Sequence, residues 1–268
     1  MMIGKRTLLA IAAVLATCAV SAQTIVSYNF DNTGTVGGDG AGSGPVAGAT
    51  AGIASATNWY NDWPSYPNTD LSDNTGAPTT MDIGWWSNGG TWNSSNFGLG
   101  HVGADADGSW NMEMLHGYLN SGNGSVVGID LKEIPFAEYD VYVYFASDVN
   151  TRTGMVMGKE RALETDPWGA VTTYYFQFMN AADANIGVGN NAVLTLTTDM
   201  LDDAATTQAN YAVFHGSMDY FNIELLTDNN EWGGVTGLQV VAVPEPATIA
   251  LVLGALSLGL ILIRRRRR

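Results

Sequence analysis

Two short stretches carry the residue types best suited to chemistry, NWYNDW from Asn58 to Trp63 and GWWSNGGTW from Gly84 to Trp92. They place Trp59, Trp63, Trp85, Trp86 and Trp92, five of the eight tryptophans, within 34 residues and among Asn, Asp and Ser. Sugar rings present apolar C–H faces that stack on indoles, while their hydroxyls need amide and carboxylate partners. The mixture is that of a candidate glycan-binding site. The competing reading is that these tryptophans plug one end of the fold beneath long loops, because Trp is mostly buried.

A search for catalysis finds no starting point. There is no G-x-S-x-G elbow, no H-E-x-x-H pair and no phosphate-cradling Gly loop followed by Lys. The three histidines, His101, His116 and His215, lie far apart in the chain. Carboxylates are so numerous that a glycosidase pair has many candidate positions and no identifiable one. No catalytic residue is assigned, and the body is read as non-enzymatic, the rival being a secreted polysaccharide-active enzyme. Two acidic stretches are calcium candidates, through Asp105 and Asp107 and through Asp228 and Glu231. Calcium needs six to eight oxygens, yet neither stretch matches the twelve-residue EF-hand loop, and turn chemistry explains them equally well. No other metal or cofactor is expected.

The two ends say where the chain goes. Lys5 and Arg6 precede the apolar run Leu8 to Val20, and Val20-Ser21-Ala22 supplies small residues for cleavage between Ala22 and Gln23. This is the pattern of a signal peptide over residues 1–22. At the other end, Ala247 to Ile263 is seventeen residues without a charge. As a helix it would span roughly 25 Å, close to a bilayer's hydrocarbon core. Arg264, Arg265, Arg266, Arg267 and Arg268 follow as a stop-transfer cluster, which belongs on the cytoplasmic side. Everything between these segments is expected to be exported. The one cysteine, Cys18, lies in the leader. Its surroundings loosely resemble a lipoprotein acylation site, although Thr17 fits poorly. Without Cys18 the mature body has no disulfide and no thiolate chemistry.

Val243-Pro244-Glu245-Pro246, the apolar segment and the arginine cluster, in that order, resemble the bacterial PEP-CTERM sorting signal over residues 243–268. The resemblance implies recognition by an exosortase after signal peptidase has acted. It further implies removal of the helix at 247–263 and delivery to the cell surface or extracellular matrix. Pro244 and Pro246 keep the segment extended, so a membrane-embedded protease would meet an open backbone. A plain permanent anchor preceded by a proline hinge is the alternative.

Composition narrows the partners. The chain has 11 basic and 26 acidic residues, and all but Lys132, Arg152, Lys159 and Arg161 of the basic ones lie in the two end segments. Such an acidic body repels nucleic acid and carries no basic stripe to overcome that. The membrane is contacted through the C-terminal helix before processing, and extracellular polysaccharide is the candidate external partner.

The body, residues 23–242, is patterned with a period of two. In Tyr139 to Ser147, Val141, Val143 and Phe145 share one face, and Tyr142 and Tyr144 the other. Further strands are expected at Ile25–Phe30, Thr79–Trp86, Asn111–Leu119, Ser125–Leu131, Val171–Phe178, Ala192–Thr198, Asn210–His215, Tyr220–Leu226 and Val235–Val243. Thr33 to Ala56, rich in Gly, Ala, Ser and Thr, reads as a long surface loop. About ten short strands and no long amphipathic helix predict an all-β fold, a single β-sandwich of jelly-roll type. The runs VVGIDLKEIPFAEYDVYVYF, NYAVFHG and GGVTGLQVV loosely resemble exported galactose-binding-like jelly-roll domains, which implies glycan binding on loops at one end.

Overall fold

The computed structural model describes residues 23–30, 48–61, 69–92, 103–122, 124–147, 152–179, 184–187, 189–201, 207–228 and 232–244. Contacts group Thr24–Ala242 as one compact unit, distinct from the two chain ends. Of the ends, only Gln23, Val243 and Pro244 are described, so the signal-peptide residues including Ala22, the remaining motif residues Glu245 and Pro246, the 247–263 segment and Arg264 to Arg268 lie outside the described residues. Among the described residues no helix is long and apolar enough to cross a membrane.

The body is all-β, and its two mixed sheets form a β-sandwich. Thirteen strands occur among the described residues: β1 (Ile25–Asn29), β2 (Trp59–Asn61), β3 (Asp82–Ser87), β4 (Thr91–Trp92), β5 (Tyr118–Asn120), β6 (Val127–Lys132), β7 (Tyr139–Ala146), β8 (Thr153–Arg161), β9 (Thr172–Phe178), β10 (Gln208–Ala209), β11 (Tyr211–Gly216), β12 (Tyr220–Thr227) and β13 (Gly234–Ala242). The first sheet runs β11-β7-β13-β1-β2, with β5 also pairing β13 and β4 pairing β5. The second runs β10-β9-β8-β12-β6-β3. Pairing is antiparallel except for β1 with β2 and β9 with β10.

Alternation explains how the sheets meet. Val26 and Tyr28 of β1, Val141, Val143 and Phe145 of β7, and Leu238 and Val240 of β13 point inward from the first sheet. Ile83, Val127, Ile129, Leu131, Val156, Phe176, Phe178, Phe221, Ile223 and Leu225 meet them from the second. Aromatic rings bridge the gap: Phe145 stacks on Phe176 with ring centroids 3.9 Å apart, and Phe214 tilts against Phe221 at 5.9 Å. Such pairs add specific geometry to the apolar area they remove from water.

Three expectations change in the structure. Asn111–Leu119 is not one strand: Asn111–Met114 forms the single-turn helix α1, and only Tyr118–Asn120 becomes β5. Asp105 Oδ1 accepts the Met112 N–H at 3.1 Å, so a side chain from outside the segment satisfies an amide of the first turn. Ala192–Thr198 is no strand either. It runs beside β11 with one parallel bridge, Leu196 to Tyr211, while the Asn210 side chain takes two of its backbone groups. Conversely, β8 was not expected. Its inward positions are Gly154, Val156 and Gly158, and a Cβ on Gly158 would come 2.5 Å from Phe214 Cδ1. The strand faces the core with almost no side chain because Phe214 fills that space, and this hides the hydrophobic alternation.

The two outer faces differ. On the first sheet, β13 is buried along nearly all its length. Its outward Gln239 has no solvent exposure. Gln239 Oε1 accepts the Tyr144 hydroxyl at 2.7 Å, and Nε2 donates to Ser27 Oγ at 3.1 Å and to the Ala54 carbonyl at 2.7 Å. Tyr144 Oη in turn accepts the Ile53 N–H at 2.7 Å. Burial raises that phenol's pKa well above the usual range, so it stays a donor to Gln239. The end of the Gly/Ala-rich stretch is therefore pinned onto the sheet rather than standing off as a surface loop; residues 31–47 lie outside the described ones. Gly52 fits there because its φ is +87° and a Cβ would lie 2.1 Å from Gln239 Oε1.

Replacing Gln239 with Ala strips partners from the buried Tyr144 and Ser27 hydroxyls and the half-buried Ala54 carbonyl, and leaves a cavity. Urea unfolding is expected to show a loss of about 3 kcal/mol. Hydrogen exchange at the amides of residues 52–56 should rise before global unfolding; unchanged protection there would show that the network does not hold this segment.

Candidate functional site

The second sheet keeps its outer face open. Its outward positions on β8 are Thr153, Met155, Met157, Lys159 and Arg161, none of them buried. Neighbouring strands contribute Glu224 and Asn222 from β12, Asp130 and Lys132 from β6, and Trp86 and Asp82 from β3. The registers align Trp86 with Gly128, Gly128 with Glu224, and Glu224 with Met157. One row along, Gly84, Asp130, Asn222 and Lys159 align in the same way.

Trp86 defines this face. It is 41% exposed. Its six-membered ring covers Gly128: a Cβ there would lie 1.8 Å from Trp86 Cζ2 and 2.3 Å from Cη2. The missing side chain on β6 lets the indole approach the sheet closely. Beside it lies a polar lattice. Asn222 Nδ2 donates to Asp130 Oδ1 at 2.8 Å, and Lys159 Nζ donates to Glu224 Oε1 at 2.7 Å. Asn222 is 3% exposed, and its Oδ1 has no hydrogen-bond partner among the described residues.

The other tryptophan candidates divide. Trp59 is 7% exposed, packs in the cluster under the 48–58 segment, and donates its indole N–H to the Ala56 carbonyl at 3.1 Å. Trp85 points the opposite way from Trp86 and packs edge-on to Phe30 at 6.1 Å. The adjacent pair is thus split by the strand's period of two, one ring to the core and one to water. Trp92 belongs to β4, and Trp63 lies outside the described residues. Of these candidates, Trp59, Trp85 and Trp86 are not gathered into one loop site. Trp168 was not singled out in the sequence, yet it lies beside the open face, with Arg161 Cζ 4.1 Å from its ring centroid.

The acidic candidates are placed by turns. Asp105 is 4% exposed; besides the Met112 amide, its Oδ2 accepts the Ala192 N–H at 2.7 Å. It ties α1 to the 189–196 segment. Asp107 caps its own turn by accepting the Ser109 N–H at 2.9 Å, and that hydrogen bond holds its pKa below the usual carboxylate value. Asp228 is exposed and accepts the Thr153 hydroxyl at 2.6 Å, while Glu231 lies outside the described residues. Among the described residues no three or more His, Cys, Asp or Glu side chains gather as a metal site.

Two histidines can be located. His116 is fully buried just after α1, its Nδ1 3.9 Å from Glu113 Oε2, while the other Glu113 oxygen accepts the Gly103 N–H. His215 is exposed on β11, 3.2 Å from Asp140 Oδ1 on the adjacent strand. His101 lies outside the described residues. No family model and no curated protein matches this chain.

Asp105→Ala leaves the buried Met112 amide and the half-buried Ala192 amide without an acceptor and should lower stability by about 2 kcal/mol in denaturant melts. A chelator should leave the melting temperature of the native protein unchanged, since both Asp105 oxygens already accept amides; a clear drop would restore calcium to the site. The stabilisation from Asp107 is present above the ordinary Asp value of 3.8 and lost as pH falls through its lowered pKa. Acid melts of Asp107→Asn should therefore be flatter over that window than those of the native protein.

Proposed function

We propose that this chain is an exported, non-catalytic glycan-binding module of the cell surface or extracellular matrix, which holds polysaccharide on the open face of its six-stranded sheet. The observation that carries the reading is Trp86, solvent-exposed and lying over Gly128 beside the Asn222–Asp130 and Lys159–Glu224 pairs. A flat indole offers the apolar stacking surface that one face of a sugar ring needs. The adjoining carboxylates of Asp130 and Glu224 and the Lys159 ammonium offer both acceptors and a donor to hydroxyls, without a deep pocket. In this reading the body is a jelly-roll sandwich whose ligand lies across a sheet, not at the loop end that the galactose-binding-like resemblance implied.

Delivery rests on the sequence of the two ends. The signal-peptide pattern before Gln23 supports export, and Pro244-Glu245-Pro246 with the apolar segment and arginines supports sorting by an exosortase. Intact mass of the protein from its native surface separates this from permanent anchoring: loss of mass beyond the Pro-Glu-Pro motif supports sorting, and a retained Arg264–Arg268 end refutes it.

The binding reading is tested with the purified full chain in a non-glycosidic detergent, on a panel of bacterial and algal polysaccharides. Trp86→Ala should weaken binding by about tenfold or more, the loss of one well-placed aromatic contact, with the melting temperature unchanged. Gly128→Ala should do the same by pushing the indole off the sheet. A flat panel with the native protein, or full binding by both variants, overturns the reading. Release of reducing sugar from any bound polysaccharide would instead identify an enzyme.

A further inference from the structure

We infer that the open face holds a second aromatic subsite at Trp168, and that its ligand is an extended, neutral polysaccharide rather than a single sugar or a polyanion. This rests on the glycan-binding reading above and names the class of glycan.

The geometry begins at the far corner of the face from Trp86. Arg161, the last residue of β8, is held between two rings: its guanidinium carbon lies 4.1 Å from the Trp168 centroid and 5.6 Å from that of Tyr220, its cross-strand neighbour. Lys159 Nζ lies 5.7 Å from the same indole. Both cations project from the outer face, so Trp168, carried by the loop between β8 and β9, sits beside that face. The Gly169 N–H fixes this return by donating to the Glu160 carbonyl at 2.8 Å. Trp86 is on β3 and Arg161 on β8, with β6 and β12 between. Three interstrand spacings separate the two corners by roughly 14 Å across the sheet, and the offset along the strands adds to that. One sugar cannot touch both rings, whereas a chain of several can. Between them lie the Asp130–Asn222 and Glu224–Lys159 pairs, a polar floor for the hydroxyls of the intervening units.

The charge pattern selects a neutral chain. Three of the body's four basic residues lie on this face, but each is already engaged. Lys159 holds Glu224 at 2.7 Å, Lys132 holds Glu164 at 2.7 Å, and Arg161 is stacked and donates to the Asp166 carbonyl at 3.3 Å. The same face and its flanking loop present Asp82, Asp130, Glu224, Glu164 and Asp166. A uronate or sulfated polymer would meet more carboxylates than cations, on a chain whose net charge is −15. Breaking an existing ion pair to bind such a polymer would gain little.

The test is calorimetric titration of the full chain with dimers and hexamers of neutral glucans, cellobiose against cellohexaose and laminaribiose against laminarihexaose, with polygalacturonate as the anionic probe. The hexamer of at least one linkage should bind about tenfold or more tightly than its dimer, since the second contact is then intramolecular. Trp168→Ala should lower hexamer affinity to that of the dimer and leave the dimer unchanged, Trp168→Phe should restore most of it, and Trp86→Ala should remove both. Raising salt from roughly 0.05 to 0.5 M should change hexamer affinity less than about twofold, because no net charge is neutralised. Equal binding of dimer and hexamer by the native protein overturns the second subsite while leaving Trp86 as a glycan contact. Preference for polygalacturonate overturns neutrality alone. Failure of every glucan and of polygalacturonate removes the glycan-binding reading itself, and this inference with it.

Discussion

Gln239 sits at the centre of β13 with its amide on the outer side of the sheet and no access to water. A primary amide in that position costs several kcal/mol unless its donors and acceptor are met. Tyr144, Ser27 and the Ala54 carbonyl meet them, and Tyr144 passes the constraint on to the Ile53 amide. The segment before β2 must therefore lie flat on the sheet, which explains its buried alanines and the Gly52 backbone. Trp59 seals its edge and Asn111 Oδ1 accepts the Gly52 N–H at 2.7 Å, so α1 is drawn in as well. The sheet is buried on both sides at β1 and β13 because one strand carries a polar side chain that a covering loop satisfies.

That covering sets the division of roles. With the middle of one outer face covered, the six-stranded sheet is the broader surface left to water, and its outward side chains mix polar groups with Met155, Met157 and Trp86. Trp86 sits there at the expense of a side chain at Gly128, as Phe214 fits the core at the expense of one at Gly158. In both places a glycine in a strand marks the close approach of a large ring from another element, which offsets the intrinsic cost of glycine in a strand. The inner case contributes to stability. The outer one leaves an indole partly exposed to water, and that asymmetry is what makes Trp86 informative.

The strands that were legible in the sequence, such as β7 and β12, are those whose inward residues are bulky and whose outward ones are polar. β8 was illegible because its inward positions are mostly glycine, and the rings that fill the space come from β11 and β9. Asn111–Leu119 reads as alternating, yet the Met112 amide is captured by Asp105, seven residues earlier, and the chain turns instead. The proposed binding face was legible only in part. Adjacent tryptophans at 85 and 86 must point to opposite sides of a strand, but which one faces water depends on the pairing of β3 with β6. Trp168, Asn222 and Glu224 stand far apart in the chain and carry no shared motif. Only the sheet order β8-β12-β6-β3 brings them together.

A shallow, sheet-borne face of the proposed kind would bind each ligand segment weakly, because it would enclose little of the sugar and exclude little water. For the proposed matrix role that is no handicap. A polysaccharide repeats its unit many times, so a chain released from one register meets the next without leaving the surface, and several copies of the protein can hold one polymer. The strongly acidic remainder of the body keeps such copies apart in solution through mutual repulsion. Its open face, where Lys159 pairs with Glu224 and Lys132 with Glu164, softens that field locally. The body's few cations are concentrated where the proposed neutral polymer would lie, and they are scarce on the rest of it.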